Sequence, residues 1–147
     1  MSAKHQRVIG TTDIGIQAAE TALAFRLPTS FREWLLKNNG LSLEDVWIFP
    51  IYDERDPRKT WDSIVRQYDA GQWGGEVFED EGMDFRHLLP FASYGTGDYY
   101  CFDFSRKQSD GEAPVVRWSH ETGETEDRGE TFFDFCQRLG RGEFEYD

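Results

Sequence analysis

Only two cysteines, Cys101 and Cys136, occur in the 147 residues, one in an aromatic run and the other among phenylalanines. That argues against a disulfide framework and fits reduced, buried thiols in a cytosolic protein. The three histidines, His5, His87 and His120, stand far apart, and His120-Glu121 is not followed by the second histidine of a zinc-protease helix. No metal site or cofactor is expected. No apolar run approaches the roughly 18 residues a membrane-spanning helix needs, and Met-Ser-Ala-Lys-His-Gln-Arg lacks the apolar stretch of a secretory signal. Neither membrane contact nor export is expected. Positive charge is scarce as well: 16 Lys and Arg face 28 Asp and Glu, for a formal net charge of −12. Such a chain repels phosphate backbones and anionic membranes and attracts basic partners, so nucleic acid is not an expected partner.

Rings are abundant instead. The 12 Phe, 6 Tyr and 5 Trp make up 16% of the residues, so the interior must be filled largely by aromatics. A chain of this length buries about 68–70% of the surface it exposes when unfolded, enough for one domain without staples. The expected domain spans residues 1–147, with 1–12 as a loosely held polar tail. There is no internal repeat and no low-complexity segment.

The pattern in order predicts an α+β arrangement. Asp13 is positioned to cap a helix with Ile16, Ala19 and Leu23 inward, ending before Leu27-Pro28. A second helix follows, with Ser30 and Glu33 spaced as a capping box, Phe31, Trp34 and Leu35 on one stripe, and Asn38-Asn39-Gly40 as its stop. Residues 46–52, β-branched and aromatic, read as a buried strand that Pro50 must end, bulge or push to an edge. Asp56-Pro57 then opens one helix with Trp61, Ile64, Val65 and Tyr68 at helical spacing, closed by Gly71.

The centre of the pattern is 88–104, two strands joined by a tight loop. Period-two alternation puts Tyr100, Phe102 and Phe104 on one face and Tyr99, Cys101 and Asp103 on the other. Gly95 and Gly97 supply the turn, and Asp98 can fold its carboxylate onto nearby backbone N–H groups. After an Asp110-Gly111 turn, 115–120 reads as a strand and 121–130 as an acidic connection. Thr131 caps a last helix with Phe132, Phe135, Cys136 and Leu139 inward.

Motifs of chemistry do not hold up. Gly95-Thr96-Gly97-Asp98 would need its third dinucleotide-binding glycine at Tyr100, and a strand follows rather than a helix. The acidic run Glu76, Glu79, Asp80, Glu81 and Asp84 fails as a calcium loop: with Gly82 sixth, Val77 falls first and Leu88 twelfth, where carboxylates are required. Spacing permits a Cys–His pair, but core packing accounts for both cysteines. With 28 acids, chance carboxylate pairs are expected, so a glycosidase pair is no signal.

The ordered combination of these pieces resembles the SUKH superfamily, which includes bacterial toxin-immunity proteins and yeast cell-wall-synthesis regulators. Ile16, Glu20 and Leu23, then Leu27-Pro28 and Phe-Arg-Glu-Trp-Leu-Leu-Lys-Asn-Asn-Gly over 31–40, look like the family's paired N-terminal helices. Leu89-Pro90, Gly95, Gly97 and Asp98 leading into Tyr-Tyr-Cys-Phe-Asp-Phe are similar to its central strand-turn-strand. Pro-Val-Val-Arg-Trp-Ser-His-Glu over 114–121 and Phe133-Asp134-Phe135 resemble its last strand and helix. Ala24 stands where the family often has glycine, and the acidic segment 72–87 matches no motif of the family.

The resemblance implies a single domain with a largely antiparallel sheet, on which pack two N-terminal helices, a middle helix and a C-terminal helix. It also implies binding rather than catalysis. Two functions follow as expectations. One is a cytoplasmic immunity protein that neutralises a cognate, basic toxin such as a nuclease; the other is an interaction scaffold with no toxin partner. The expected contact surface is Trp73, Glu76, Phe78, Glu79, Asp80, Glu81 and Asp84, the rings supplying the desolvated anchors that charge does not. A merely solvated acidic loop is the plainer reading of the same run. Gly40, Gly95, Gly97 and Asp98 are expected to serve as structural turn residues.

Overall fold

The computed structural model describes residues 10–71, 73, 85–95 and 97–144. Helix α1, Asp13–Leu23, is capped by Thr12, whose Oγ1 accepts the Gly15 N–H at 3.1 Å. Asp13, the expected cap, sits one step inside, in the first turn. Ile16, Ala19 and Leu23 are buried as their spacing predicts. The helix closes through Ala24 in the left-handed conformation, φ 60°, a region that strains any residue with a Cβ.

Helix α2, Thr29–Asn38, lacks the expected capping box. It begins straight after Pro28, so Ser30 already lies within the first turn. The Ser30 N–H and hydroxyl both donate to the buried carboxylate of Glu112, at 2.8 and 2.9 Å. A distant loop therefore supplies the anion that a helix N-terminus favours. The stop is as expected, with Gly40 at φ 87°. Asn39, buried just after the helix, uses its amide as a stand-in strand: Nδ2 donates to the Ile51 carbonyl at 2.8 Å and Oδ1 accepts the Ile51 N–H at 2.7 Å.

That amide explains why the strand expected over 46–52 shrinks to β1, Trp47–Ile48. Phe49 still donates to the Phe91 carbonyl, Pro50 has no N–H to give, and Ile51 is served by Asn39. The single helix expected after Asp56 is two: α3, Pro57–Thr60, and α4, Ile64–Ala70, the latter capped afresh by Ser63. Asp56 caps α3 as expected, its carboxylate accepting the Lys59 N–H.

Strands β2 (Leu88–Tyr94), β3 (Asp98–Asp103), β4 (Val115–Trp118) and β5 (Thr125–Gly129) complete a five-stranded antiparallel meander in the order β1-β2-β3-β4-β5. A bulge at Phe91 lets Pro90 face Cys101 while Ala92 faces Tyr100. Phe104 leaves the strand for a 3₁₀ turn, Phe104–Arg106, and is half-buried. The stretch expected as an acidic connection contains β5, a charged edge strand whose exposed Glu126 and Asp127 pair with arginines. Helix α5, Phe132–Gly140, starts at the Thr131 cap and buries Phe132 and Phe135, with Cys136 and Leu139 packed at its margin.

The core is aromatic, as composition requires. Phe91 stacks on Phe102 at 4.2 Å, Phe31 meets Phe132 at 4.9 Å, and Tyr100 meets Phe135 at 4.8 Å. Replacing Ala24 with Gly removes the left-handed strain at the end of α1, less the entropy glycine loses on folding. We expect a gain of about 1 kcal/mol in urea unfolding; an unchanged or lower midpoint would contradict that geometry.

Candidate functional site

The β2–β3 turn passes through Gly95 at φ 65° and Gly97 at φ 128°, values that only glycine adopts without strain. A Cβ on Gly97 would also stand 3.3 Å from the His120 ring. Asp98 is the first residue of β3. It reaches across to the end of β4. Its Oδ1 accepts the His120 backbone N–H at 3.1 Å and faces His120 Nδ1 at 2.6 Å, and its Oδ2 pairs with the Arg117 guanidinium. A carboxylate only accepts, so Nδ1 carries the proton of that contact. Arg117 also lies over the Tyr94 ring at 5.9 Å.

Burial works to raise the Asp98 pKa, but the hydrogen bonds from the His120 ring and backbone, with the charges of Arg117 and His120, outweigh it and hold the carboxyl below its ordinary range. An Asp–His pair is half of an acid–base relay, so its surroundings decide what it does. Among the described residues, no hydroxyl or thiol bonds to His120. Burial pushes the Cys101 thiol far up and the Cys136 thiol to about 12, leaving neither as a thiolate at neutral pH. Among the described residues no three His, Cys, Asp or Glu gather as a metal site, and no helix is long and apolar enough to cross a membrane. The arrangement is a clamp that locks β3 to β4.

The opposite face of the sheet carries a second, smaller apolar cluster: Trp73, Phe85, Leu88, Cys101, Val116 and Trp118. Trp73 is therefore not a surface anchor. It is 3% exposed and packs edge-on against Trp118 at 4.9 Å and Tyr99 at 5.6 Å. Its ring centroid lies 6.1 Å from that of Phe85, so the residues that bracket the acidic run are pinned side by side on the sheet. Glu76, Phe78, Glu79, Asp80, Glu81 and Asp84 lie outside the described residues. Gly40, Gly95 and Gly97 have positive φ, and Asp98 opens β3. The partnership of Asp98 with Arg117 and His120 was missed; the only signal was that both hairpin ends carry polar residues where the strand pattern stops.

The depressed Asp98 pKa implies stability that is present above the unfolded carboxylate value, about 3.9, and lost as pH falls through the lower folded value. Asp98→Asn should therefore cost about 2 kcal/mol at pH 7, and the deficit should shrink below about pH 4 as the wild-type carboxylate protonates. Urea titrations at pH 7 and pH 3 check this, and an equal deficit at both would rule out the charge as its origin.

Comparison with known proteins agrees with this architecture. No curated protein matches the chain. The crystal structure of a protein from Pseudomonas syringae pv. tomato matches 88% of this chain and 81% of that one, with a TM-score of 0.57 and 22% identity. At that identity the likeness is one of fold. The SMI1 / KNR4 family (SUKH-1) model matches residues 10–138, which run from three residues before α1 into α5. The chain thus belongs to the SMI1 / KNR4 family (SUKH-1), within the SUKH superfamily.

Proposed function

We propose that the protein is a cytoplasmic immunity protein that binds a cognate bacterial toxin, a nuclease being the class its charge suits, and neutralises it without catalysing a reaction. Family membership carries this reading, because the SUKH family includes toxin-immunity proteins and is generally non-catalytic. The net charge of −12 supports it: a nuclease presents a basic groove to phosphates, and an acidic protein can occupy that groove.

The contact we assign is the acidic run Glu76, Glu79, Asp80, Glu81 and Asp84 with Phe78 as its apolar anchor. Trp73 and Phe85, which bracket the run in sequence, have adjacent rings packed on the sheet. Burial of Trp73 removes it from the contact.

The test is protection of cells expressing a toxin encoded beside this chain, followed by binding kinetics. Changing Glu79, Asp80 and Glu81 together to Ser should slow association about tenfold at low salt, with a smaller effect at high salt, because steering charges act mainly on the on-rate. Unchanged kinetics would displace the contact to another surface. A chain that binds host proteins yet protects no cell would be a scaffold instead.

A further inference from the structure

We propose that the open groove between Tyr52, Trp61 and α4 is a docking site for an arginine or lysine side chain of a partner protein, a second point of contact that rests on the toxin-binding reading for the partner's identity. Helical spacing predicts Trp61 inward beside Ile64. The break between α3 and α4 turns it outward instead: Trp61 is 57% exposed, whereas Thr60 and Ile64 on either side of the break are buried. Tyr52 is 43% exposed and meets the indole edge-on at 6.3 Å. Exposed Trp and Tyr set side by side are the residue types that carry binding energy at protein interfaces.

The presentation is rigid. The Thr60 hydroxyl accepts the Asp53 N–H at 2.9 Å and lies 2.8 Å from the Asp56 carbonyl. The Asp53 carboxylate accepts the Arg55 guanidinium and the Arg55 N–H, and the Ile64 N–H donates to the Pro50 carbonyl at 2.8 Å. Trp61 is thus held between two fixed residues, and a partner pays little ordering entropy to meet it.

Charge decides the occupant. The groove, about 760 Å³, is lined by two carboxylates, Asp62 and Asp69, and one guanidinium, Arg66. Arg66 shows the chemistry the groove offers: its guanidinium lies 5.0 Å from the Trp61 ring centre and its Nε 3.6 Å from Asp62. Asp69, one turn further on, has no ion-pair partner among the described residues. A second cation can therefore sit between Asp69 and the exposed rings in an equivalent setting. On a chain of net charge −12, an anionic or purely apolar occupant is the poorer complement.

The test titrates the ¹⁵N-labelled protein with an acetylated (Gly-Arg)₅ amide peptide, using (Gly-Glu)₅ as control. The indole N–H resonances of the five tryptophans report which surface is met. Expected is a saturable shift of the Trp61 indole with the arginine peptide only, weakened at least tenfold in Asp62→Asn/Asp69→Asn. No saturable Trp61 shift, or the same shift in the double variant, overturns the proposal. So does a Trp61 shift produced by raising protein concentration alone, which would give the groove to a second copy of the chain. With the toxin, Trp61→Ala should weaken binding at least tenfold while its circular dichroism stays unchanged; full affinity in that variant would also overturn it. If the toxin does not bind the wild-type chain but the peptide result holds, the immunity reading falls and the groove stands.

Discussion

The stack of Phe91 on Phe102 is the contact around which the rest of the molecule is arranged. It joins the two central strands, β2 and β3, on the face that must be kept from water, and the bulge at Phe91 gives that ring its place. Phe31 from α2 and Phe132 from α5 both pack on the pair, with ring centres 5.1 to 6.3 Å apart, and Phe135 reaches Phe91 at 5.7 Å. Two helices distant in sequence therefore cover the same pair of rings. Large planar side chains bury much area with few rotatable bonds, which lets short strands and short helices hold one core.

Sealing so much aromatic surface buries backbone groups at the ends of short elements, and each must be satisfied. The chain does so with side chains brought from far away. Glu112 serves the start of α2, Asn39 serves Ile51 where the sheet has run out, and Asp98 serves the end of β4. The Glu20 carboxylate accepts the Leu27 N–H at 2.7 Å in the link between α1 and α2. These ties also fix where the elements sit. Removing one leaves a buried donor without a partner, which costs more than the bond itself contributes.

Much of this fold can be read from the residues, and the parts that cannot share a cause. The inward faces of α1, α2 and α5 follow helical spacing, and the alternation of Tyr100, Cys101 and Phe102 between the two sheet faces follows strand spacing. Local stops such as Gly40 are legible because their reason is local. The Glu112 cap is not, since 82 residues separate it from Ser30, and a sequence window sees Ser30 and Glu33 instead. β5 is hidden because an edge strand facing water has no apolar alternation to betray it. Of the candidate site, the positive-φ glycines have a local cause that the sequence carries, but the partners of Asp98, 19 and 22 residues away, do not.

The two tryptophans that spacing and composition misplace make the functional point. Trp73 lies in a glycine-rich, acidic stretch and reads as surface, yet the sheet's second face needs a cover and takes it. Trp61 lies at a core-like spacing and reads as buried, yet Ser63 begins a new helix and leaves it outside. Burial is settled by what the tertiary structure must seal, and neither ring's own neighbourhood records that demand. A chain that turns a tryptophan outward, on a loop braced by Asp53, Thr60 and Arg55, forgoes the burial of a large aromatic side chain. Two carboxylates beside it set the sign of the charge it can receive. Net charge attracts without fixing a position, whereas a braced ring with carboxylates beside it defines one.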